Sequence, residues 1–385
     1  MKEVFIVTSK RTPVGAFLGG LSDFSAIQLG AAAIKAVVPD ESLAQSIDAV
    51  YMGNVLSANL GQSPARQAAI AAGLRVETDC TTVNKVCSSG LKSVIIGSQQ
   101  IQLGQADLIV AGGMESMSNT PHYSQRRKIN KLGDEKLIDG LLKDGLTDAY
   151  HNFHMGNAAE LCVREFGLTR EEQDDYALAS YEKAQRATSQ GKFLVEIVPI
   201  ETKNGVIRED EDIIKVIPEK VPKLKPAFDP SGSITAANAS NLNDGAAAIL
   251  LASAEAVAKY QLQPIAKVLS YADAAQAPEK FPTSPALAIR KALGLLNYSL
   301  DKIDFFEINE AYAAVILANR KLLDLDLNKV NVYGGAVAIG HPLGASGARI
   351  LCTLTSVLHQ ERGRYGVAAI CNGGGGASAM VIERL

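Results

Sequence analysis

Residues 83–95, VNKVCSSGLKSVI, carry a β-branched run into a small-residue turn and then into a helical apolar period. Such a change of period from two to 3.6 marks a strand-turn-helix unit. Residues 330–350, VNVYGGAVAIGHPLGASGARI, repeat the plan with glycines at the turn. Outward from each unit the same order recurs. VFIVTSKRTP from Val4, IQLGAAAIKAVV from Ile27, IDAVYMGN from Ile47 and ADLIVAGGMESMS from Ala106 surround the first. IAKVLSYADAA from Ile265, SPALAIRKALGLL from Ser284, IDFFEINEAY from Ile303 and GVAAICNGGGG from Gly366 surround the second. Short β-branched runs alternating with helical periods indicate α/β architecture with strands covered on both faces. The first half lacks a closing strand until NLNDGAAAILLAS, which resembles the closing GGGGASAMVIERL. The expected division is therefore residues 1–118 with 241–262 as one half, 119–240 as an insertion, and 263–385 as the second half.

The insertion differs in composition from the halves. It holds RRKINKLGDEK, the helical pattern TREEQDDYALASYEKAQRA and the Pro/Lys-rich IPEKVPKLKPAFDP, and reads as a surface lobe. Over all 385 residues, 38 Lys and Arg stand against 41 Asp and Glu, a net charge of -3, which offers no global attraction for nucleic acid or an anionic membrane. Five cysteines with no CxxC pair fit reduced thiols, and no stretch reaches the roughly 20 apolar residues of a membrane helix. The start MKEVFIVTSK has neither the apolar core nor the cleavage site of a secretory leader, so a cytoplasmic protein is expected.

Cys87, at the turn before a helix, stands where the helix dipole lowers a thiol's pKa and favours a nucleophilic thiolate; a buried structural cysteine is the competing reading. His341, framed by Gly340 and Pro342, is placed as a general base or oxyanion donor, or as a turn cap. Cys371 ends an apolar run before four glycines whose N–H groups can approach a substrate oxygen, or it is a core cysteine beside a hinge. Asn309 and Glu310 close another strand and also suit a helix start. His151 and His154 lack the further spaced ligands of a zinc site. The basic run Arg126, Arg127, Lys128 reads as a solvated face.

Taken together, NKVCSSGLKS, AGGMESMS, DGLTDAY with HNFHMG, TAANASNLNDGAA, NEAY, GGAVAIGHPLGASGARI and CNGGGGASA resemble the thiolase family, in its biosynthetic acetyl-CoA acetyltransferase branch. The likeness runs in unbroken order from Val4 to Leu385. It implies a layered αβαβα sandwich of two duplicated halves with an inserted loop domain. It also implies reversible Claisen condensation of two acetyl-CoA to acetoacetyl-CoA and CoA, with no obligatory cofactor. By the resemblance, Cys87 is the acetyl-accepting nucleophile, His341 its base, Cys371 the acid/base and Asn309 the holder of a water. The N–H groups of Cys87 and Gly373 form the oxyanion hole. Leu146, His154, Met155, Ser240, Ala311 and Tyr312 line the acyl and pantetheine path, and Lys215, Val216, Ile217 and Lys220 the adenine end of coenzyme A. Tyr312 stands where Phe is common. Tyr181, Ala236, Ala237, Ala239 and Val337 match a potassium-binding group within the family, and the segment 121–146 a loop that builds homotetramers. A degradative 3-ketoacyl-CoA thiolase, a decarboxylating ketoacyl synthase and a non-catalytic acyl-CoA-binding protein remain alternatives.

Overall fold

The computed structural model describes residues 1–38, 40–124, 132 and 134–385. The basic run 126–128 falls outside them. The first half supplies β1 (Val4–Arg11), α1 (Ala26–Val37), β2 (Ala49–Gly53), α2 (Pro64–Ala71), β3 (Asp79–Val83), α3 (Ser89–Gln102) and β4 (Leu108–Ser116). The helices α4 (Met155–Phe166) and α5 (Arg170–Ser189) follow, and then β5 (Asn243–Ala252). The second half supplies β6 (Ala266–Ala275), α6 (Ser284–Gly294), β7 (Phe305–Ile308), α7 (Ala313–Leu323), α8 (Leu343–Gln360), β8 (Tyr365–Asn372) and β9 (Gly376–Arg384).

The strands run β3-β2-β4-β5-β1 in the first half and β6-β9-β8-β7 in the second. Parallel pairs stand at the outer ends and antiparallel pairs between them. Antiparallel pairing of Val4–Ile6 with Ala266–Val268 joins the halves edge to edge, so the sheet is continuous through both. It folds over α3 and α8, which form the middle layer, while α1 and α2 cover one outer face and α6 and α7 the other. The result is a five-layered α/β sandwich.

Local chemistry explains the elements. Ser25 and Gln28 form a reciprocal capping box that starts α1, and Thr169 and Glu172 do the same for α5. Every residue of β4 and β5 is buried, as expected for strands covered on both faces. Helix α8 is buried all round from Leu343 to Leu358, which suits a helix between two sheets. Its glycines allow a close crossing: a Cβ on Gly347 would lie 2.4 Å from Leu91 N, and one on Gly90 would lie 2.8 Å from Ala348 N.

The halves differ at one point. The second half's counterpart of β3 is reduced to a single bridge between Val330 and Phe306. Beyond it Asn331 turns to φ 45 and takes the chain out of the sheet. Its side chain replaces the missing ladder: Oδ1 accepts the Ile308 N–H and Nδ2 donates to the Ile308 carbonyl, both at 2.8 Å. No described helix is long and apolar enough to cross a membrane.

Candidate active site

Between β3 and α3 the chain makes a strained turn. Val86 holds φ 48, a region that costs a β-branched residue about 1–3 kcal/mol and persists only where its surroundings enforce it. The surroundings are specific. Ser89 Oγ lies 2.6 Å from the Val86 carbonyl and 2.8 Å from the Lys85 N–H. Ser88 Oγ lies 3.1 Å from the Ile370 carbonyl and 2.9 Å from Asn372 Oδ1, the two residues that flank Cys371. Lys85 and Lys92 each reach a carboxylate oxygen of Asp273 at 2.6 Å, and Lys85 also reaches Ser378 Oγ at 2.9 Å. The Cys87 turn of one half is thereby fastened to the Cys371 hairpin of the other. The backbone N–H groups of Gly373 and of Cys87 itself favour the ionised form of the Cys87 thiol.

His341 occupies the corresponding turn before α8. Asn243 Oδ1 accepts its backbone N–H at 2.8 Å. The ring Nδ1 stands 2.6 Å from Ser346 Oγ, whose single proton goes to the Pro342 carbonyl at 2.9 Å. Ser346 must therefore accept from Nδ1–H, which leaves the lone pair on Nε2. Among the described residues Nε2 is buried and without a partner, and so is Asn309 Oδ1, whose amide nitrogen lies 3.5 Å from Nδ1 of the ring. Two unpaired polar atoms in a dry site are costly, and each is positioned for an incoming group.

Cys87, Gly373 and His341 line one cavity of about 340 Å³, together with Leu146, His154, Met155, Ser240, Ala311 and Tyr312. Cys371 does not line it and is 1% exposed, and a charge on Cys87, were it ionised, would oppose ionisation of Cys371. An apolar cluster of Val55, Leu56, Met117, Leu141 and Leu343 packs against Val86 and Cys87. Here the helix-dipole expectation is overturned. Burial pushes the Cys87 thiol up to about 12, against the two N–H groups that lower it. Burial pushes Cys371 up as well, and burial followed by the positive charge of Arg349 pushes His341 down to about 3. The resting pair is thus a neutral thiol and a neutral imidazole.

A model of the thiolase N-terminal domain matches residues 4–255, and one of the thiolase C-terminal domain matches residues 262–384. The chain belongs to the thiolase family. Among relatives of this acyltransferase family, a cytosolic acetyl-CoA acetyltransferase of Gibberella zeae is 52% identical over 99% of this chain and 98% of its own length. The acetyl-CoA acetyltransferase of Saccharomyces cerevisiae is 48% identical over the whole of both chains. The crystal structure of a thiolase from Ascaris suum in complex with coenzyme A superposes with a TM-score of 0.95 at 48% identity, covering both chains fully.

Within this thiolase the remaining candidates divide between two adjoining cavities. Lys215, Val216, Ile217 and Lys220 line a second cavity of about 510 Å³, with Tyr181, Ala236 and Ala237. It shares Ala236, Asn241 and Leu242 with the first, so the two form one path. Ala239 borders the first cavity, and Val337 is fully buried with its N–H donated to Glu310. Glu310 also accepts from Tyr176, Ser180 and Asn331, fastening α5 beside Asn309. His151 and His154 go separate ways: His151 pairs with Asp148 at 3.0 Å, whereas His154 caps α4 and stacks on Phe228 at 4.6 Å.

The sequence reading missed several residues of the site. Ser346, one helical turn beyond His341, was legible as an i+5 hydroxyl only once the helix was known to start at Leu343. Phe228, which also meets Tyr312 edge-on at 6.0 Å, sits in a Pro/Lys-rich stretch that carries no periodic signal. The neutral pair has a measurable consequence. Alkylation of Cys87 by iodoacetamide, which needs the thiolate, should rise about tenfold per pH unit from pH 6 to 9 without levelling. A plateau across that range would reveal a thiolate–imidazolium pair.

Proposed function

We propose that this thiolase is an acetyl-CoA C-acetyltransferase that interconverts two acetyl-CoA with acetoacetyl-CoA and CoA. The observation that carries the reading is the convergence of Cys87, Gly373 and His341 on one cavity, in which the buried His341 Nε2 has no partner among the described residues. Cys87 attacks the thioester carbonyl while its proton passes to His341 Nε2, and the N–H groups of Cys87 and Gly373 receive the oxyanion. The carbon–sulfur bond to CoA breaks, and the leaving sulfur takes the proton of Cys371. Cys371, now a thiolate in a dry site, removes the α-proton of a second acetyl-CoA. Protonated His341 and a water held by Asn309 donate to the developing enolate oxygen. The enolate carbon attacks the acetyl group, and Cys87 departs and recovers its proton from His341. Protons and charges balance over the cycle.

Short-chain preference is supported by Met155, whose terminal methyl lies 3.7 Å from the place a Cβ on Gly373 would take and so closes the acyl end. Potassium is a further part of the proposal. The Ala236 and Ala237 carbonyls accept no hydrogen bond among the described residues, and with the Tyr181 phenol and the carbonyls of Ala239 and Val337 they suit a large monovalent cation better than a divalent one. A homotetramer is the accompanying expectation from the resemblance of segment 121–146, and a cytosolic location is supported by a relative named as cytosolic.

The test is thiolysis of acetoacetyl-CoA and of 3-ketohexanoyl-CoA with free CoA, each in potassium and in sodium buffer. Turnover is expected to favour the four-carbon substrate at least tenfold and to rise in potassium. Equal turnover of the six-carbon substrate would move the protein to the degradative thiolases, and turnover of neither would leave an acyl-CoA-binding protein.

A further inference from the structure

The motif AGGMESMS contributes Glu115, a fully buried carboxylate at the end of β4 that takes no part in the steps above. Four donors converge on it. Oε1 accepts from Asn54 Nδ2 at 2.8 Å and from the Leu56 N–H at 3.1 Å. Oε2 accepts from the Val55 N–H at 3.0 Å and from the Gly344 N–H at 2.8 Å. All four are donors only, so the arrangement requires the ionised carboxylate. Burial works against it and pushes the group up to about 7, but a protonated oxygen would face N–H groups with nothing to accept its hydrogen.

The donors come from both halves. Asn54, Val55 and Leu56 form the loop after β2, whose side chains pack against the Cys87 turn. Gly344 belongs to the first turn of α8, three residues after His341. Pro342 gives that helix no side-chain cap, so Glu115 supplies the anion at its N-terminus from the opposite half. Gly344 has little freedom otherwise, since a Cβ there would lie 2.9 Å from both Asn54 Cα and Glu115 Oε2. We propose that Glu115 is a positioning residue of the reaction, tying the first turn of α8 to the loop after β2 and so setting where His341 stands relative to Cys87. Its charge also opposes ionisation of Cys87. The other titratable group acting on Glu115 is Asp244 of β5, itself held by Ser116 and Ser118.

The inference rests on the roles proposed for Cys87 and His341, and the experiment separates the two. Glu115→Gln keeps the shape but turns one acceptor into a donor facing N–H groups. It is expected to lower kcat roughly 10- to 100-fold with the KM for acetyl-CoA changed less than twofold, as a misplaced reacting group does. Alkylation of Cys87 at fixed pH should become faster, because a neighbouring negative charge is gone. Alkylation of Cys352, buried elsewhere in α8, should stay at the wild-type rate when both sites are read by mass spectrometry. Glu115→Asp retains the charge but is too short to reach all four donors. It should lose kcat while Cys87 alkylates as in the wild type, and it keeps the test open if the glutamine variant does not fold. Glu115→Gln with wild-type kcat, or faster alkylation of Cys352 in step with Cys87, would overturn the inference. Wild-type enzyme that keeps its activity after alkylation at Cys87 would instead overturn the assignment of the nucleophile.

Discussion

Cys371→Ala is expected to take up the acetyl group from acetyl-CoA on Cys87 while condensation falls by about 10²–10⁴-fold, the usual loss on removing a positioned acid or base. Cys371 is 1% exposed and burial drives its thiol upward, so in the proposed cycle, once it has given its proton to the departing CoA, it would be a strong base beside the second substrate. Nothing else described near the cavity can replace it. Tyr312 is pushed up too, first by burial and then by any negative charge formed on Cys87 or Cys371, and holds its phenolic proton. In the proposed cycle His341 is committed to the oxygen side of the substrate. In the variant the imidazolium formed at His341 can still supply the leaving CoA with a proton, so the first half-reaction survives at reduced rate. Incubation with radiolabelled acetyl-CoA, followed by mass spectrometry of the Cys87 peptide, reads the first step, and acetoacetyl-CoA formation reads the second. Loss of both steps in equal measure would mean that Cys371 serves acyl transfer to Cys87 rather than enolate formation.

The positions of these groups were legible because each lies where the residue period changes. Cys87 and His341 stand between an apolar run and a helical pattern, and Cys371 and Asn309 at strand ends; such points collect at one edge of a layered α/β fold. What the residue string did not reveal are the partners brought by distant segments. Glu115 reads as the end of a buried strand, and only the approach of Gly344 from 229 residues away turns it into a helix cap. The glycines show the same limit. In CNGGGG, Gly373 lines the cavity with Cys87, but Gly375 is required at φ 84 because a Cβ there would meet the Gln276 carbonyl at 2.3 Å. In GASG, Gly344 and Gly347 serve the close packing of α8 rather than ligand approach. The thiol pKa misled for a related reason: the helix dipole is a local property, whereas burial under Val55, Leu56 and Leu343 is a property of the assembled halves, and at this site burial is the larger effect.

Arg11→Met is expected to destabilise the protein by about 3–5 kcal/mol, the cost of leaving buried charges without their partner. Arg11 ends β1 and is fully buried. Its Nε donates to Glu196 Oε1 at 2.7 Å, and its Nη1 and Nη2 donate to the two oxygens of Asp210 at 2.6 and 2.9 Å. Burial alone would favour loss of its proton, but the attraction of Asp210 and Glu196 outweighs that and holds the guanidinium charged. Both acids come from the segment between α5 and β5, so the cluster clamps that segment to β1. Glu196 Oε1 also accepts from Thr353 Oγ1 of α8 at 3.1 Å, which extends the clamp to the middle layer. Removing the cation leaves two buried carboxylates without the positive charge they share. The triple change Arg11→Met, Glu196→Gln and Asp210→Asn should therefore recover much of the loss, because it removes the stranded charges as well as the pair. Guanidinium unfolding at one fixed protein concentration, which holds any effect of association constant, compares the three proteins. A single variant within 1 kcal/mol of the wild type would mean that the insertion is held by its apolar contacts alone. Since His154, Met155 and Phe228 reach the cavity from that insertion, the destabilised variant should also show a higher KM for acetyl-CoA at temperatures where it remains folded.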